Sequence, residues 1–212
     1  MVASLGVEPR WASPVDFEST ASTSSATRPR GGYDTRIMKF CPSCGQLTAM
    51  RVPEGDHRVR VVCTACGAIH YQNPRIVAGC IVECQGRILL CRRAIEPRHG
   101  FWTNPAGFME IGETLIQAAA RETREEAMAE VVMGPMLSVV NVLRPAQVHI
   151  FFRAVLPEPK FGPGPESLDV QLFDEGTIPW DEMAFPSSIY SLERYLADRR
   201  AGTEQLHHID IP

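Results

Sequence analysis

Two Cys-x-x-Cys pairs constrain the fold of this chain more than any other feature. Cys41 and Cys44 form the first pair, and Cys63 and Cys66 form the second after 18 intervening residues. This spacing, with a glycine after each pair, is typical of a zinc ion held by four thiolates. Such a site leaves no position open for water, so we expect structural rather than catalytic Zn²⁺. We place this small module at residues 38–72, a segment too short to build a core of its own.

The composition indicates a globular enzyme rather than a membrane protein or a general nucleic-acid binder. With 212 residues, 44% of them apolar, the chain has room for one main domain and a small second one. No stretch approaches the roughly 18 apolar residues of a membrane span. The net charge of −4 disfavours general attraction to nucleic acid. The charge and the apolar runs thus predict no nucleic-acid or membrane partner. Because four of the seven cysteines stand in metal-type pairs, we expect a reducing, cytoplasmic location.

The first 37 residues show neither helical nor strand periodicity. They contain six Ser, four Thr, three Pro and three Gly, and their four arginines are matched by four acidic residues. Such a segment buries too little apolar surface to offset the entropy of ordering, so we expect a disordered extension over residues 1–37. The acidic residues argue against an organellar transit peptide. We expect Met38 to be the native start.

Apolar runs and turn residues after position 72 predict strands that alternate with helices. Residues 73–93 are typical of two strands around a Gln85-Gly86 turn, and residues 113–128 have strong helical propensity. Further strands are expected at 136–143, 147–156 and 170–173, and a final amphipathic helix at 187–201 ends at Gly202. The main domain is therefore placed at 73–202, with a C-terminal tail at 203–212.

The predicted helix at 113–128 becomes acidic along its apolar face. Residues advance about 100° each, so Glu122, Glu125 and Glu126 lie on the same side as Leu115 and Ala118. Glutamates four residues apart oppose helix formation by roughly 0.2–0.5 kcal/mol, which makes this face unfavourable without a counter-ion. Clustered carboxylates suit Mg²⁺ or Mn²⁺. The alternative interpretation is a solvated, glutamate-rich surface.

The spacing of charges around this helix resembles the signature of the Nudix hydrolases. Gly107 is followed after five residues by Glu113, and after seven more by RETREEA, which begins at Arg121. The resemblance implies an α+β fold, an α/β/α sandwich on a mixed sheet, preceded here by a zinc ribbon. It also implies Mg²⁺- or Mn²⁺-dependent hydrolysis of a nucleoside diphosphate linked to another group. The signature has a glycine where this chain has Met128, so we expect an extended helix or an altered turn there.

The resemblance implies roles for individual residues. The implied metal ligands are three carboxylates and one backbone carbonyl, namely Glu122, Glu125, Glu126, and Ala106 or Gly107. Arg121 is implied to orient a catalytic carboxylate by ion pairing, and Glu113 to brace the structure. Nudix domains often form dimers, so a homodimer is compatible with the resemblance.

Residues outside the signature extend the expected site. Glu166 lies in a Gly/Pro loop of the kind from which Nudix enzymes draw a further carboxylate base or ligand. Arg92 and Arg93 are candidates for bidentate phosphate binding, and Trp102 for stacking on an adenine or flavin ring. The alternatives are solvated charges and a core aromatic residue.

A zinc ribbon joined to a Nudix domain resembles two groups of enzymes. NAD(H) pyrophosphatases, which also act on NAD-capped RNA, carry a Ser-Gln-Pro-Trp-type motif after the Nudix signature (the Nudix box). At that place this chain has LSVVNVLRPAQVHIFF. The FAD and ADP-ribose pyrophosphatases of the plant Nudix 23 type resemble it through HYQNPRIVAGC, PAGFMEIGET, GPGPESL and IPWDEMAF. We therefore expect cleavage of FAD to FMN and AMP, or of ADP-ribose, with NADH or NAD caps as the alternative. A non-catalytic nucleotide or RNA sensor with a degenerate box is the alternative of another class.

Overall fold

The computed structural model describes residues 38–212, and these residues form two compact units. One unit comprises residues 38–74 with 144–146, and the other comprises residues 75–143 and 147–212. The predictions of a disordered extension and of a native start at Met38 concern residues 1–37, which lie outside the described residues. Among the described residues, no helix is both long enough and apolar enough to cross a membrane.

The smaller unit is a three-stranded antiparallel ribbon. Its strands are β1 (Thr48–Arg51), β2 (Arg60–Cys63) and β3 (Ile69–His70), in the order β1-β2-β3. Gly45 and Gly67, directly after the two cysteine pairs, have φ values of 72° and 74°. Only glycine adopts this left-handed conformation without steric cost, which explains its place at both turns.

The larger unit is built on an eight-stranded mixed sheet. The strands are β4 (Arg75–Cys84), β5 (Arg87–Arg93), β6 (Trp102–Thr103), β7 (Ala106–Phe108), β8 (Val132–Val142), β9 (Gln147–Val155), β10 (Ser167–Phe173) and β11 (His207–Ile211). The main order is β10-β5-β4-β9-β8-β11, while β6 pairs with β5 and β7 pairs with β4. The β4–β9 and β8–β11 pairs are parallel and the others are antiparallel.

Two helices, α1 (Leu115–Ala127) and α2 (Pro186–Ala201), cover opposite faces of this sheet. On β5, Leu89 and Cys91 pack in a buried cluster with Ala118 of α1, whereas Ile88 packs in a second cluster with Leu192 of α2. Adjacent side chains of a strand point to opposite faces, so this alternation puts one helix on each side. The predicted α/β/α sandwich on a mixed sheet is confirmed.

The ends of α1 are defined by local hydrogen bonds. At the start, the Gln117 N–H donates to Thr114 Oγ1 and the Thr114 N–H donates to Gln117 Oε1, a reciprocal capping box. At the end, Met128 adopts a left-handed conformation with φ 49° and ψ 32°, and its N–H donates to the Arg124 carbonyl. Met128 therefore takes the conformation that a glycine would take, and the expected extension or altered turn is wrong.

The C-terminal residues belong to the sheet, so the prediction of a tail at 203–212 is wrong for residues 207–211. Strand β11 pairs in parallel with β8, with Ile209 opposite Val140. Ile211 is buried beside Val140 and Tyr190. The physical reason is that Ile209 and Ile211 alternate with polar residues, a pattern that lets one face of a short strand join the core.

Candidate metal and catalytic sites

The four paired cysteines converge at one end of the ribbon. The Cys41–Cys66, Cys44–Cys63 and Cys44–Cys66 sulfurs are 3.8, 3.4 and 3.5 Å apart, and all four sulfurs lie within 4.8 Å of one another. A tetrahedron of sulfurs around zinc, with Zn–S bonds of about 2.3 Å, has edges of about 3.8 Å. The thiolate positions therefore fit Zn²⁺.

Backbone groups around the second pair favour the thiolate form. The Cys66 and Ala65 N–H groups each donate to Cys63 Sγ at 3.4 Å, and they lower the pKa of the Cys63 thiol. Thiolates are the form that binds zinc, so this arrangement prepares the ligand.

Arg121 is the centre of the ion-pair network on α1. Its guanidinium donates to Glu113 Oε1 at 2.7 Å, to Glu122 Oε1 at 2.7 Å and to Glu125 Oε2 at 3.0 Å. It also donates to the Phe108 carbonyl at 3.0 Å. One cation thus pairs with three carboxylates, while the orienting role of Arg121 and the bracing role of Glu113 stay predictions. The pKa of Glu113 is lowered by its hydrogen bond with Arg121.

The other acidic contacts join α1 to strand β7. The Ala106 N–H donates to Glu126 Oε2 at 3.0 Å. The Glu122 carboxylate lies so close to Gly107 that a side chain there would overlap it. Both carboxylates are therefore held against the backbone at the start of the Nudix signature, at Ala106 and Gly107.

Burial makes this cluster unfavourable without a cation. Glu126 is only 6% exposed, and burial raises the pKa of its carboxyl to about 8, with the nearby Glu122 charge adding to the rise. Burial also raises the pKa of Glu122 against the opposing effect of Arg121. A divalent cation would favour the ionised forms, so the donor set fits Mg²⁺ or Mn²⁺.

The glutamates surround a wider space than the cysteines do. Within the described part of the chain, only the four cysteines bring three or more ligand atoms of Cys, His, Asp or Glu within 4.8 Å of one another. Mg²⁺ typically takes one or two carboxylates and completes its shell with water and phosphate. The looser spacing therefore fits a site that substrate completes.

The ladder between β7 and β4 distinguishes the two candidate carbonyls. Ala106 lies opposite Gly79, yet its N–H donates to Glu126 rather than to β4. In an antiparallel pair, the N–H and C=O of one residue point to the same side. The Ala106 carbonyl therefore points towards the glutamates, and Ala106 is a better candidate ligand than Gly107.

Glu166 and Arg93 are brought to the same place from other elements. Both interact electrostatically with Glu126, and Arg93 is only 9% exposed. Arg93 Nε donates to the Pro97 carbonyl at 2.8 Å, and its guanidinium lies 5.0 Å from the centre of the Phe185 ring. One buried cation and one further carboxylate thus face the cluster.

Arg92 and Trp102 lie on the other face of the sheet, which corrects their assignment to the substrate site. Arg92 precedes Arg93 on β5, so the two side chains point in opposite directions, and Arg92 Nε donates to the Gly100 carbonyl. Trp102 is 6% exposed and packs edge-to-face on Phe173 in the cluster beneath α2. A ring enclosed in this core has no free face for a base.

Sequence reasoning missed two residues of this site. The Phe185 ring makes a cation–π contact with the Arg93 guanidinium, and Gly164 packs against the last turn of α1. For Phe185 the sequence signals were the IPWDEMAF segment, which ends at this residue, and the proline that follows it and begins α2. For Gly164 the signal was present in the GPGPES segment, but its contact depends on tertiary packing.

Comparisons with known proteins establish the family of this chain. The zinc-ribbon model described as Nudix N-terminal matches residues 39–72, and the NUDIX domain model matches residues 72–193. The chain therefore belongs to the Nudix hydrolases, with a zinc ribbon before the catalytic domain. Nudix enzymes use Mg²⁺ or Mn²⁺, and the four-cysteine cluster holds structural Zn²⁺, so the cofactor predictions are confirmed.

Several relatives carry a more specific name. The NAD-capped RNA hydrolase NudC of Vibrio vulnificus is 40% identical over 104 residues, which cover 47% of this chain and 36% of that protein. The NAD-capped RNA hydrolase NudC of Stutzerimonas stutzeri is 31% identical over 179 residues, which cover 81% of this chain and 62% of that protein. The match thus spans about one third to three fifths of these relatives.

Solved structures support the fold. The crystal structure of a NUDIX hydrolase from Nitrosomonas europaea is 47% identical, with a TM-score of 0.78, and the match covers 82% of this chain and 99% of that one. An ADP-ribose pyrophosphatase from Streptococcus suis has a TM-score of 0.54 at 17% identity, over 65% of this chain and 100% of that one. This second likeness concerns the fold alone.

Proposed function

We propose that this protein hydrolyses the diphosphate bond of NAD(H)-type dinucleotides, including the NAD cap at the 5′ end of RNA. The observation that carries the proposal is the cluster of Glu122, Glu125 and Glu126 around Arg121, held against Ala106 and Gly107. Its spacing and burial fit a cation that binds diphosphate. The relatives named as NAD-capped RNA hydrolases favour this substrate over FAD.

Each residue of the cluster has a role in this proposal. Glu122, Glu126 and the Ala106 carbonyl would hold Mg²⁺ or Mn²⁺, with Glu125 as a further ligand, and Arg121 would orient Glu122 and Glu125 by ion pairing. The cation supplies positive charge that neutralises the diphosphate oxygens. Arg93 faces the same space and adds a second positive charge for phosphate.

The reaction requires a base and a leaving group. Glu166 accepts a proton from the attacking water, whose oxygen forms a bond to one phosphorus. The bond from that phosphorus to the bridging oxygen breaks, and the bridging oxygen leaves with the other phosphate. The products are two monophosphates, or nicotinamide mononucleotide and 5′-monophosphate RNA from a capped transcript.

FAD and ADP-ribose are the second candidate substrates, and one observation favours them. The stretch in which a Ser-Gln-Pro-Trp-type motif was expected forms the β8–β9 hairpin and has a different sequence. The segments shared with the FAD and ADP-ribose group point the same way. This candidate shares the cation site and differs only in the group that is linked to the adenosine diphosphate part of the substrate.

A capped transcript would make RNA a partner, contrary to the expectation from net charge. Residues 38–74 contain four Lys or Arg and two acidic residues, a net of +2, whereas the whole chain has −4. The strand register also places Tyr71 beside Arg60, whose guanidinium lies 5.2 Å from the ring centre. Both features support an RNA substrate. The cytoplasmic location and the homodimer stay predictions.

A substrate panel tests the proposal. NADH, NAD-capped RNA, FAD, ADP-ribose and a nucleoside triphosphate are incubated with Mg²⁺ or with EDTA, and products are separated by chromatography. We expect cleavage of NADH and of the cap, abolished by EDTA and by Glu126→Gln but retained by Glu130→Gln, a change at an exposed glutamate paired with Arg124. FMN plus AMP as the main products would favour the second candidate. Tight nucleotide binding without turnover would support the sensor alternative.

A further inference from the structure

The loop that carries Glu166 is bonded to the end of the metal-site helix. The Gly162 N–H donates to the Ala127 carbonyl at 2.8 Å, and the Gly164 N–H donates to the Glu126 carbonyl at 3.0 Å. The last carbonyls of a helix lack partners within it. The loop therefore supplies donors that α1 itself cannot provide, and one of these donors binds the main chain of Glu126.

The two glycines of this loop differ in how closely they approach the helix. A Cβ atom at Gly164 would overlap the Glu125 carbonyl oxygen, which is backbone and cannot rotate away. A Cβ atom at Gly162 would have Met128 Sδ, at 3.9 Å, as its nearest neighbour. Neither glycine has a positive φ. The requirement at position 164 is therefore steric, and position 162 accepts a side chain.

The segment after Gly164 leaves Glu166 little freedom. The Ser167 N–H donates to the Gly164 carbonyl at 3.0 Å, and the Ala94 N–H donates to the Glu166 carbonyl at 2.8 Å. Pro165 lies between Gly164 and Glu166, and its ring fixes its own φ. Glu166 is close enough to interact electrostatically with Glu122 and Glu126, so a shift of the loop at Gly164 would change the separation of its carboxylate from theirs.

We propose that Gly164 is a positioning residue: its close packing on the Glu125 and Glu126 main chain sets the distance from Glu166 to the metal-site glutamates. This inference rests on the proposed function, in which Glu166 acts at that site. It identifies the last turn of α1 as the common support of two parts of the site that are distant in sequence.

The test compares Gly164→Ala with the matched control Gly162→Ala, and combines each with Glu166→Gln. Removal of a general base costs roughly 10²–10⁴-fold in kcat, so we expect a fall of at least about 100-fold in Glu166→Gln. We expect about a tenfold or larger fall in Gly164→Ala and less than about twofold in Gly162→Ala. The Gly164→Ala/Glu166→Gln double variant should be within about threefold of Glu166→Gln alone, because coupled residues are not additive.

Mn²⁺ affinity, followed by the EPR signal of free Mn²⁺, gives a second readout without turnover. Supporting residues around metal sites typically contribute 10–100-fold to affinity, so Gly164→Ala should bind Mn²⁺ about tenfold more weakly and Gly162→Ala should bind normally. Should Gly164→Ala fail to fold, inserting one glycine between Pro165 and Glu166 preserves the helix contact. This insertion is expected to lower kcat as much as Glu166→Gln does.

The outcomes separate this inference from the proposed function. An active protein in which Gly164→Ala retains kcat, or in which its effect multiplies with that of Glu166→Gln, would overturn the positioning role alone. An inactive wild-type protein would overturn the proposed function, and the Mn²⁺ series would then decide the role of Gly164. Equal Mn²⁺ affinity in the two glycine variants would contradict it.

Discussion

The ribbon and the α1 cluster both gather ligands for a metal, but they do so in opposite ways. In the ribbon, four sulfurs lie within 4.8 Å of one another. In the cluster, Arg121 pairs with Glu113, Glu122 and Glu125, and the Ala106 N–H donates to Glu126 Oε2. The first arrangement is complete once a single ion is added. The second keeps its ligands apart and leaves space for phosphate.

This difference indicates how the sequence assigns a structural and a catalytic role to two metal sites. Thiolates repel one another strongly, and only a tightly bound ion makes their convergence favourable, so metal binding and folding are coupled in the ribbon. The glutamates have an internal cation and backbone donors. We therefore expect the fold to tolerate loss of the divalent ion once Glu126 is protonated, which suits a site that exchanges metal and product.

The largest loss of stability is expected when one ligand of the four-cysteine zinc site is removed. Structural zinc contributes roughly 10 kcal/mol or more of apparent binding free energy to small domains of this kind, so Cys63→Ser should unfold the ribbon. Zinc content should fall, and hydrogen exchange should show loss of protection in residues 38–74. Cys84→Ser, at a buried cysteine outside the site, is the matched control and should keep its zinc. Full zinc occupancy in Cys63→Ser would contradict the four-ligand assignment.

The second largest effect concerns the stabilisation of the protein by Mg²⁺ at the glutamate cluster. Mg²⁺ at 100 times its Kd stabilises a folded protein by about 2.7 kcal/mol, and Glu126→Gln should abolish this gain. In EDTA at neutral pH the same variant should be more stable than the wild type, since Glu126, with its pKa raised to about 8, must take up a proton or bury its charge on folding. Thermal unfolding with and without Mg²⁺ measures both changes. A wild-type response to Mg²⁺ in Glu126→Gln would show that this residue is not a ligand.

A smaller effect, on kcat, is expected from changing Arg121, the cation that pairs with the carboxylates. Arg121→Lys keeps the charge but has three donors in place of the five hydrogen bonds that Arg121 makes, so kcat should fall roughly 10–100-fold, the range for residues that support metal ligands. Arg124→Lys, on an exposed ion pair of the same helix, should change kcat less than twofold. Steady-state assays of both variants provide the comparison. Equal activity of the two would remove the special role of Arg121.

The smallest effect concerns the end of α1. A non-glycine residue in the left-handed conformation costs about 1 kcal/mol, so Met128→Gly should raise the free energy of unfolding by about that amount. Ala120→Gly, within the same helix, should lower it by about 1 kcal/mol. Urea denaturation distinguishes the two signs. Destabilisation by Met128→Gly would mean that the Met128 side chain contributes packing that outweighs the strain.

The predictable part of the molecule was the part with fixed spacing along the chain. The cysteine pairs and the Arg121 network follow from intervals in the sequence, because turns and helices convert such intervals directly into geometry. The choice of Arg93 over Arg92 depends on which face of β5 is covered by α1, and the choice of Ala106 over Gly107 depends on the phase of a ladder. Residue spacing alone predicts neither which face of β5 lies under α1 nor which residues of β7 bond to β4.

Contacts between distant segments explain the remaining errors. Trp102 looked available for stacking, but its environment is set by Phe173 and the residues beneath α2. The strand at residues 207–211 is not predicted from the sequence because it is short and because the helix signal before it ends at Gly202. Gly164 and Phe185 acquire their roles only when loops pack on α1 and on Arg93.

The most direct test of the open catalytic site is a Mn²⁺ titration of fully zinc-loaded protein, with wild type, Glu126→Gln and Glu130→Gln compared by EPR. We expect saturable Mn²⁺ binding in the wild type and in Glu130→Gln, and at least about a tenfold loss of affinity in Glu126→Gln, with zinc content unchanged in all three. Equal Mn²⁺ affinity in all three proteins would contradict the assignment of the glutamate cluster as the catalytic metal site.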